Sequence, residues 1–217
     1  MERVKFIFDP ICPWCYQTSR WAKQLERLGE IELDWGLFSL EVVNLEAGKD
    51  PRELVARSAP ALRTATLIRR RQGSKAIGPL YTAIGRQTWE SAPPEADMAT
   101  AVRTALTEVG SDPALCDEAM ADASTWDEVL DEHRSFVERT RSFGVPTIVL
   151  DGGDGLAIFG PVISELPADA DAVELWGHVS WLARYGNFAE LKRDRVRLPD
   201  LPAVEWRQRQ REAAQAG

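Results

Sequence analysis

The stretch FDPICPWCYQTSRW, residues 8–21, places two of the chain's three cysteines three positions apart, with Pro13 and Trp14 between them. Residues 3–8, RVKFIF, lead into it with the β-branched and aromatic content of a buried strand. Beyond the pair, Trp14, Trp21, Leu25 and Leu28 recur at helical spacing, and Gly29 is a natural stop. This reading puts Cys12 at the N-cap of a helix and Pro13 at its first position, where a missing N–H costs nothing. The unpaired N–H groups of a first turn, together with the helix dipole, favour thiolate over thiol. Cys12 is therefore expected to titrate below the ordinary value of about 8.5. Cys15 falls one turn further in, on the same face and more shielded, which suits attack by Cys12 and resolution by Cys15.

Other uses of a cysteine pair fit less well. A structural zinc site needs four ligands, and the remaining candidates, Cys116, His133 and His178, are scattered over expected helices. Cys116 reads as a small buried residue, and the two histidines read as surface or partly buried. A structural disulfide closing so small a loop would stabilise little.

Working outward, IELDWGLFSL (31–40) reads as a second strand, so the chain opens with a βαβ unit. Residues 51–142 change character. Alanine, arginine and glutamate dominate, strand signals vanish, and several helices are expected, with Asp97 and Ser124 as N-caps and Gly110 and Gly144 as stops. PTIVL (146–150) and LAIF (156–159) then flank DGGDG and predict a hairpin. A helix is expected over 170–186, and the basic stretch beyond reads as a short docked segment and a loose tail. The order β-α-β, helical insertion, β-β-α is that of an α/β thioredoxin fold carrying a helical domain. The expected division is a thioredoxin-like domain (1–50 and 143–197), a helical insertion (51–142) and a C-terminal tail (198–217).

Composition narrows the functional classes. The chain has 217 residues, 44% of them hydrophobic, and a net charge of −8. So acidic a chain has no global attraction to nucleic acid or to anionic membranes, and no run reaches the ~18 apolar residues of a membrane span. The N-terminus lacks the long apolar stretch of a signal peptide. The expectation is a cytoplasmic protein, where stable structural disulfides are rare.

FDPICPWCY together with GVPTIVLDG and AIFGPV resembles the DsbA-like branch of the thioredoxin superfamily. Adding DPICPWCYQTSRW, PLYTAIG (79–85), VPTI, FGPV (159–162) and NFAELKR (187–193), the chain resembles, within that branch, the mycothiol-dependent nitroreductase-like oxidoreductases. The resemblance spans residues 4 to about 197. It implies a two-cysteine redox cycle on small-molecule or disulfide substrates, no tightly bound cofactor, and a low-molecular-weight thiol such as mycothiol as co-substrate. A homodimer is compatible with it. By position, Cys12 corresponds to the nucleophile, Cys15 to the resolving cysteine and Pro146 to a cis-proline that would present Val145 to incoming sulfur. Pro13, Trp14, Tyr16, Asn44 and Tyr81 are candidates for lining the substrate cleft. Two relatives keep other readings open: general protein disulfide oxidoreductases, and the kappa-transferase and hydroxychromene-carboxylate isomerase branch, which carries a serine at the nucleophile position. A non-catalytic binding module is the fourth reading. One departure stands out. Many thioredoxin-like proteins keep a carboxylate beneath the resolving cysteine, and VKFIF supplies none. Asp9, the nearest acid, is expected to cap the turn before Pro10, leaving water to take the Cys15 proton.

Overall fold

The computed structural model describes residues 1–216; Gly217, the last residue of the expected tail, lies outside them. Two parallel strands start the chain, β1 (Glu2–Phe8) and β2 (Ile31–Leu37), joined by the helix α1 (Pro13–Arg27). The hairpin β3 (Thr147–Val149) and β4 (Ala157–Phe159) adds antiparallel to β1, giving the sheet order β2-β1-β3-β4. Helix α8 (Asp169–Arg184) packs against α1, with Trp21 and Trp176 meeting edge to face at 6.2 Å. This is the thioredoxin arrangement expected from the order of elements.

Between β2 and β3 lie only helices: the short α2 (Leu40–Val43), then α3 (Ala59–Gln72), α4 (Ile77–Gly85), α5 (Met98–Glu108), α6 (Ala114–Ala121) and α7 (Ala123–Thr140). Helix α4 runs on into a π-helical stretch, Arg86–Glu90. The insertion has a small core of its own, built around Leu67, Leu80, Leu106 and Cys116. Its inner residues Leu62, Ile77, Tyr81 and Trp126 nevertheless belong to the main core with the sheet. Helix α7 also covers the free edge of β2. Glu132 accepts the Leu37 N–H at 3.2 Å while pairing with Arg69 at 2.6 Å, and His133 Nδ1 accepts the Ser39 N–H at 3.3 Å. Those edge donors would otherwise face nothing. Burial holds His133 down to about 4, so it is a neutral core residue, whereas His178 lies exposed beside Glu174.

Several local expectations need correction. The cap of α7 is Asp122, whose carboxylate accepts the Ser124 N–H at 3.0 Å; Ser124 is already inside the helix. That helix ends at Arg141, in the left-handed region at φ 58, before Gly144 is reached. Asp97 and Gly110 act as expected, the latter at φ 75. The largest correction concerns the tail. Residues Pro202–Ala216 form a helix, α9, anchored by two fully buried residues, Leu201 just before it and Ala203 within it. Ala203, Val204 and Arg207 share one inward face, a three-residue pattern too sparse to stand out within a charged stretch.

Helix α1 is buried along most of its length, with Glu26 and Arg27 exposed at its end. Three of its buried polar residues reach the chain that returns from the hairpin: Gln17 to the Ser164 carbonyl, Thr18 to Pro161 and Gln24 to Pro167. Tyr16 at its start lies where a β-carbon on Gly85 would have to be. Gly85→Ala must therefore push a fully buried ring aside. It is expected to lower unfolding stability by about 2 kcal/mol, read as a lower denaturant midpoint at unchanged slope.

Candidate active site

Strand β1 ends at Phe8, and Asp9 turns the chain. Its backbone carbonyl accepts the Cys12 N–H at 3.1 Å, and one carboxylate oxygen accepts the Ile11 N–H at 3.0 Å. The other carboxylate oxygen accepts the Leu40 N–H at 2.7 Å, tying the turn to the start of α2. Cys12 is then the N-cap of α1, with extended backbone (φ −95, ψ 112), and Pro13 follows at the first helical position. The Cys12 sulfur accepts the Cys15 N–H at 3.3 Å. A side-chain acceptor at the N-cap satisfies one of the four orphan donors of a helix start; here the acceptor is sulfur, which fulfils it best as thiolate.

The two thiols are not equivalent. Cys12 is pulled below its ordinary range, first by the Cys15 thiol donating to it and then by the backbone N–H groups of Cys15 and Trp14, against burial. Cys15, fully buried, is pushed well above its range by desolvation and by the negative charge on Cys12. Both thiols are free. The outer sulfur is thus the easier of the two to ionise and the inner one the harder.

Asp9 is the buried acid missing from β1. It is fully enclosed, and burial lifts its carboxyl to about 7 despite two backbone donors. Its charge acts on both cysteines, raising each. The turn-capping role expected for it is present, in the Ile11 bond; its burial is not visible in the sequence, because the segment that covers it, at Leu40, comes thirty residues later.

The Val145–Pro146 bond is cis, and the Val145 carbonyl lies 3.9 Å from the Cys12 sulfur, within reach of its S–H. Pro13 and Trp14 are half-buried, and the Arg195 guanidinium sits 5.2 Å above the Trp14 ring. Tyr16 and Tyr81 are core residues. Tyr16 donates to Glu90 at 2.9 Å, and Tyr81 stacks on Phe8 at 4.0 Å with its buried hydroxyl unpartnered. Asn44 does not join the site. It is exposed and its amide donates to the Leu40 carbonyl at 2.7 Å, so it finishes α2 instead of facing a cleft. Sequence reasoning missed two contributors. Trp89, on the π-helical stretch, donates its indole N–H to the Pro10 carbonyl at 3.0 Å, and Arg207 of α9 lies 4.7 Å over the Trp89 ring. Among the described residues no cluster of three or more metal-ligating side chains occurs, and no helix is long and apolar enough to cross a membrane.

Comparison with known proteins gives the same frame. The family model described as "Rv2466c-like: Mycothiol-dependent nitroreductase Rv2466c" matches residues 11–193. The Mycobacterium tuberculosis protein Rv2286c is 36% identical over 194 residues, which cover 89% of this chain and 82% of that protein. Among solved structures, "probable DsbA oxidoreductase SCO1869" from Streptomyces coelicolor superposes with a TM-score of 0.56 at 18% identity, covering 90% of this chain and 95% of its own. A 2-hydroxychromene-2-carboxylate isomerase superposes with a TM-score of 0.57 at 15% identity, covering 84% and 96%. Fold similarity at this level embraces both an oxidoreductase and an isomerase, so the chemistry must be argued from the cysteine pair.

The burial of Asp9 has a consequence for stability. Its carboxyl titrates at about 7 in the folded protein but near 3.9 when unfolded. The fold therefore favours the protonated form, and stability is lost as pH rises from about 4 to about 7. Relative to Asp9→Asn, the wild type is expected to lose up to about 4 kcal/mol of unfolding free energy over that range. Denaturant titrations at a series of pH values measure this; parallel profiles for the two proteins would exclude it.

Proposed function

The chain belongs to the Rv2466c-like family, a family of thiol-dependent oxidoreductases, and from this premise we propose that it is a two-cysteine reductase recharged by mycothiol. The observation that carries the proposal is the Cys12 sulfur at the head of α1, accepting the Cys15 N–H at 3.3 Å. A thiolate held there is a nucleophile near neutral pH and a good leaving group when it must depart.

On a disulfide substrate the cycle runs as follows. The Cys12 thiolate attacks one substrate sulfur, the substrate S–S bond breaks, and the first thiolate leaves with the electron pair. Cys15 gives up its proton and attacks the Cys12 sulfur, expelling the second thiolate and closing the Cys12–Cys15 disulfide. The protein has lost two electrons and the substrate has gained them. A mycothiol thiolate then attacks Cys12, releasing Cys15, and a second mycothiol resolves the mixed disulfide, leaving reduced protein and mycothiol disulfide. Asp9, whose charge acts on Cys15, is the acid we assign to take that proton. With a carboxyl at about 7, it accepts a proton at neutral pH without staying permanently charged beside two sulfurs. The Val145 carbonyl, 3.9 Å from Cys12, accepts the S–H of that cysteine when it is protonated. The two cysteines also argue for a reductase over the isomerase chemistry found on the same fold, which requires no resolving thiol.

Cys15→Ser is expected to strand a mixed disulfide on Cys12 when it reacts with a disulfide substrate before any mycothiol is added, visible as an added mass on the intact protein. Cys12→Ser is expected to form none and to lose activity by about three orders of magnitude or more. Full turnover by Cys15→Ser without an adduct would overturn the cycle. Reduction of the oxidised protein by mycothiol is expected to outpace reduction by glutathione at equal thiolate concentration.

A further inference from the structure

Helix α9 and the extended stretch before it enclose a cavity for which the dithiol cycle has no use. It has a volume of about 310 Å³, the low end for a ligand pocket and enough for one substituted ring. Pro13 and Trp14, the two residues between the cysteines, line it together with Trp89 and Val204, and Arg207 and Arg211 close it. One boundary is thus the residue bonded directly to Cys12. The walls contributed by α9 lie outside the stretch matched by the family model, residues 11–193.

The charges in this cavity are unbalanced. Arg207 is partly buried, and the charges acting on it are those of Arg211 and Arg57, both repulsive; these and desolvation pull it below its ordinary range. Among the described residues neither Arg207 nor Arg211 has an ion-pair partner, whereas Arg209, on the same helix, pairs with Glu205 at 3.7 Å. Arg195, over the Trp14 ring at 5.2 Å, is exposed and stands outside the cavity lining. Arg207 is thus a partly desolvated cation without a counter-charge, which is costly, and an anion held between it and the exposed Arg211 removes that cost. Guanidinium forks match planar carboxylates, and tryptophan faces match flat apolar bodies.

We propose that this pocket binds a flat, apolar small molecule carrying one anionic group, an aromatic carboxylate in type, with the anion on Arg207 and Arg211 and the ring against Trp14 and Trp89. As a substrate class this deepens the reductase reading and rests on it: electrophilic aromatic anions are the compounds delivered to Cys12. The binding itself does not depend on the redox cycle.

Two measurements separate these layers. In the Cys12→Ser, Cys15→Ser protein, 2-nitrobenzoate is titrated against tryptophan fluorescence, with neutral 2-nitrobenzamide as its partner probe. The carboxylate is expected to bind at least about tenfold more tightly, and R211Q is expected to remove that advantage. Arg211 is exposed, so this variant keeps α9 in place; R207K and limited proteolysis of the helix control for the cation–π contact that docks it. In the reduced wild type, stopped-flow compares 5,5′-dithiobis(2-nitrobenzoate), an aromatic disulfide bearing carboxylates, with neutral 2,2′-dithiodipyridine. Each is cleaved by the same two thiol steps, releasing two aryl thiolates as the protein disulfide closes. The ratio of the two rate constants is expected to fall about tenfold in R211Q; using a ratio cancels any general change in Cys12 acidity. Equal binding of benzoate and benzamide, or a ratio unmoved by R211Q, overturns the pocket. Preserved carboxylate binding alongside failure of the Cys15→Ser trap overturns the reductase reading and leaves the pocket standing.

Discussion

A single sulfur stands where a helix needs an acceptor. Helix α1 begins with orphan N–H groups, and the side chain at its N-cap is Cys12, accepting from Cys15 at 3.3 Å. Serine or aspartate at such a position would merely stabilise the helix. Sulfur performs the task well only when ionised, so the stability of the helix start and the acidity of the thiol become one quantity. Pro13 contributes by removing a donor that would compete for solvent and by presetting the helical φ of its own residue. The inner cysteine closes the arrangement: its thiol is the largest influence lowering Cys12, while desolvation keeps its own proton in place.

Holding that geometry requires a rigid α1, and the fold supplies it from every direction. The sheet lies on one side and α8 on another, and the stretch from Pro161 to Pro167 is hydrogen-bonded to polar residues of the helix. The insertion closes the remaining side, stacking Tyr81 on Phe8 and seating Tyr16 against Gly85. Its helices are therefore better understood as the missing wall of the thioredoxin core than as a separate module, since Leu62, Ile77 and Trp126 share the core of the sheet. Enclosure also creates the acid. Asp9 sits at the end of β1, and the start of α2 covers it.

What was legible in the sequence follows the range over which each signal acts. The CPWC pair, its strand, its helix and the hairpin around DGGDG are local patterns, and they gave the fold, the N-cap and the topology. Gly29 and Gly110 marked helix ends through their positive φ, but Gly144 did not, because Arg141 took the left-handed position earlier. Asp122 displaced Ser124 as a cap for a similar reason: two good capping residues stood two positions apart, and register chose between them. Non-local burial was beyond reach. Nothing near Asp9 announces the Leu40 N–H that donates to its carboxylate, and nothing near Asn44 shows that its amide turns back on its own helix. Helix α9 was missed because its inward face is short and its charged face long, so it reads as a solvated tail until Trp89 is seen beneath it.

That last contact bears on how specificity arises on this fold. Trp89 is anchored to the Pro10 carbonyl and carries Arg207 on its face, so the C-terminal helix reports its position to the turn that sets Cys12. The thiol chemistry depends on a few backbone donors and a buried acid, all contained in β1, α1 and α2. The charges that would select among substrates come from a different part of the chain, Arg207 and Arg211, which line a cavity with the half-buried Pro13 and Trp14 and the buried Trp89. A division of this kind lets the reactive centre stay constant while the wall facing it changes.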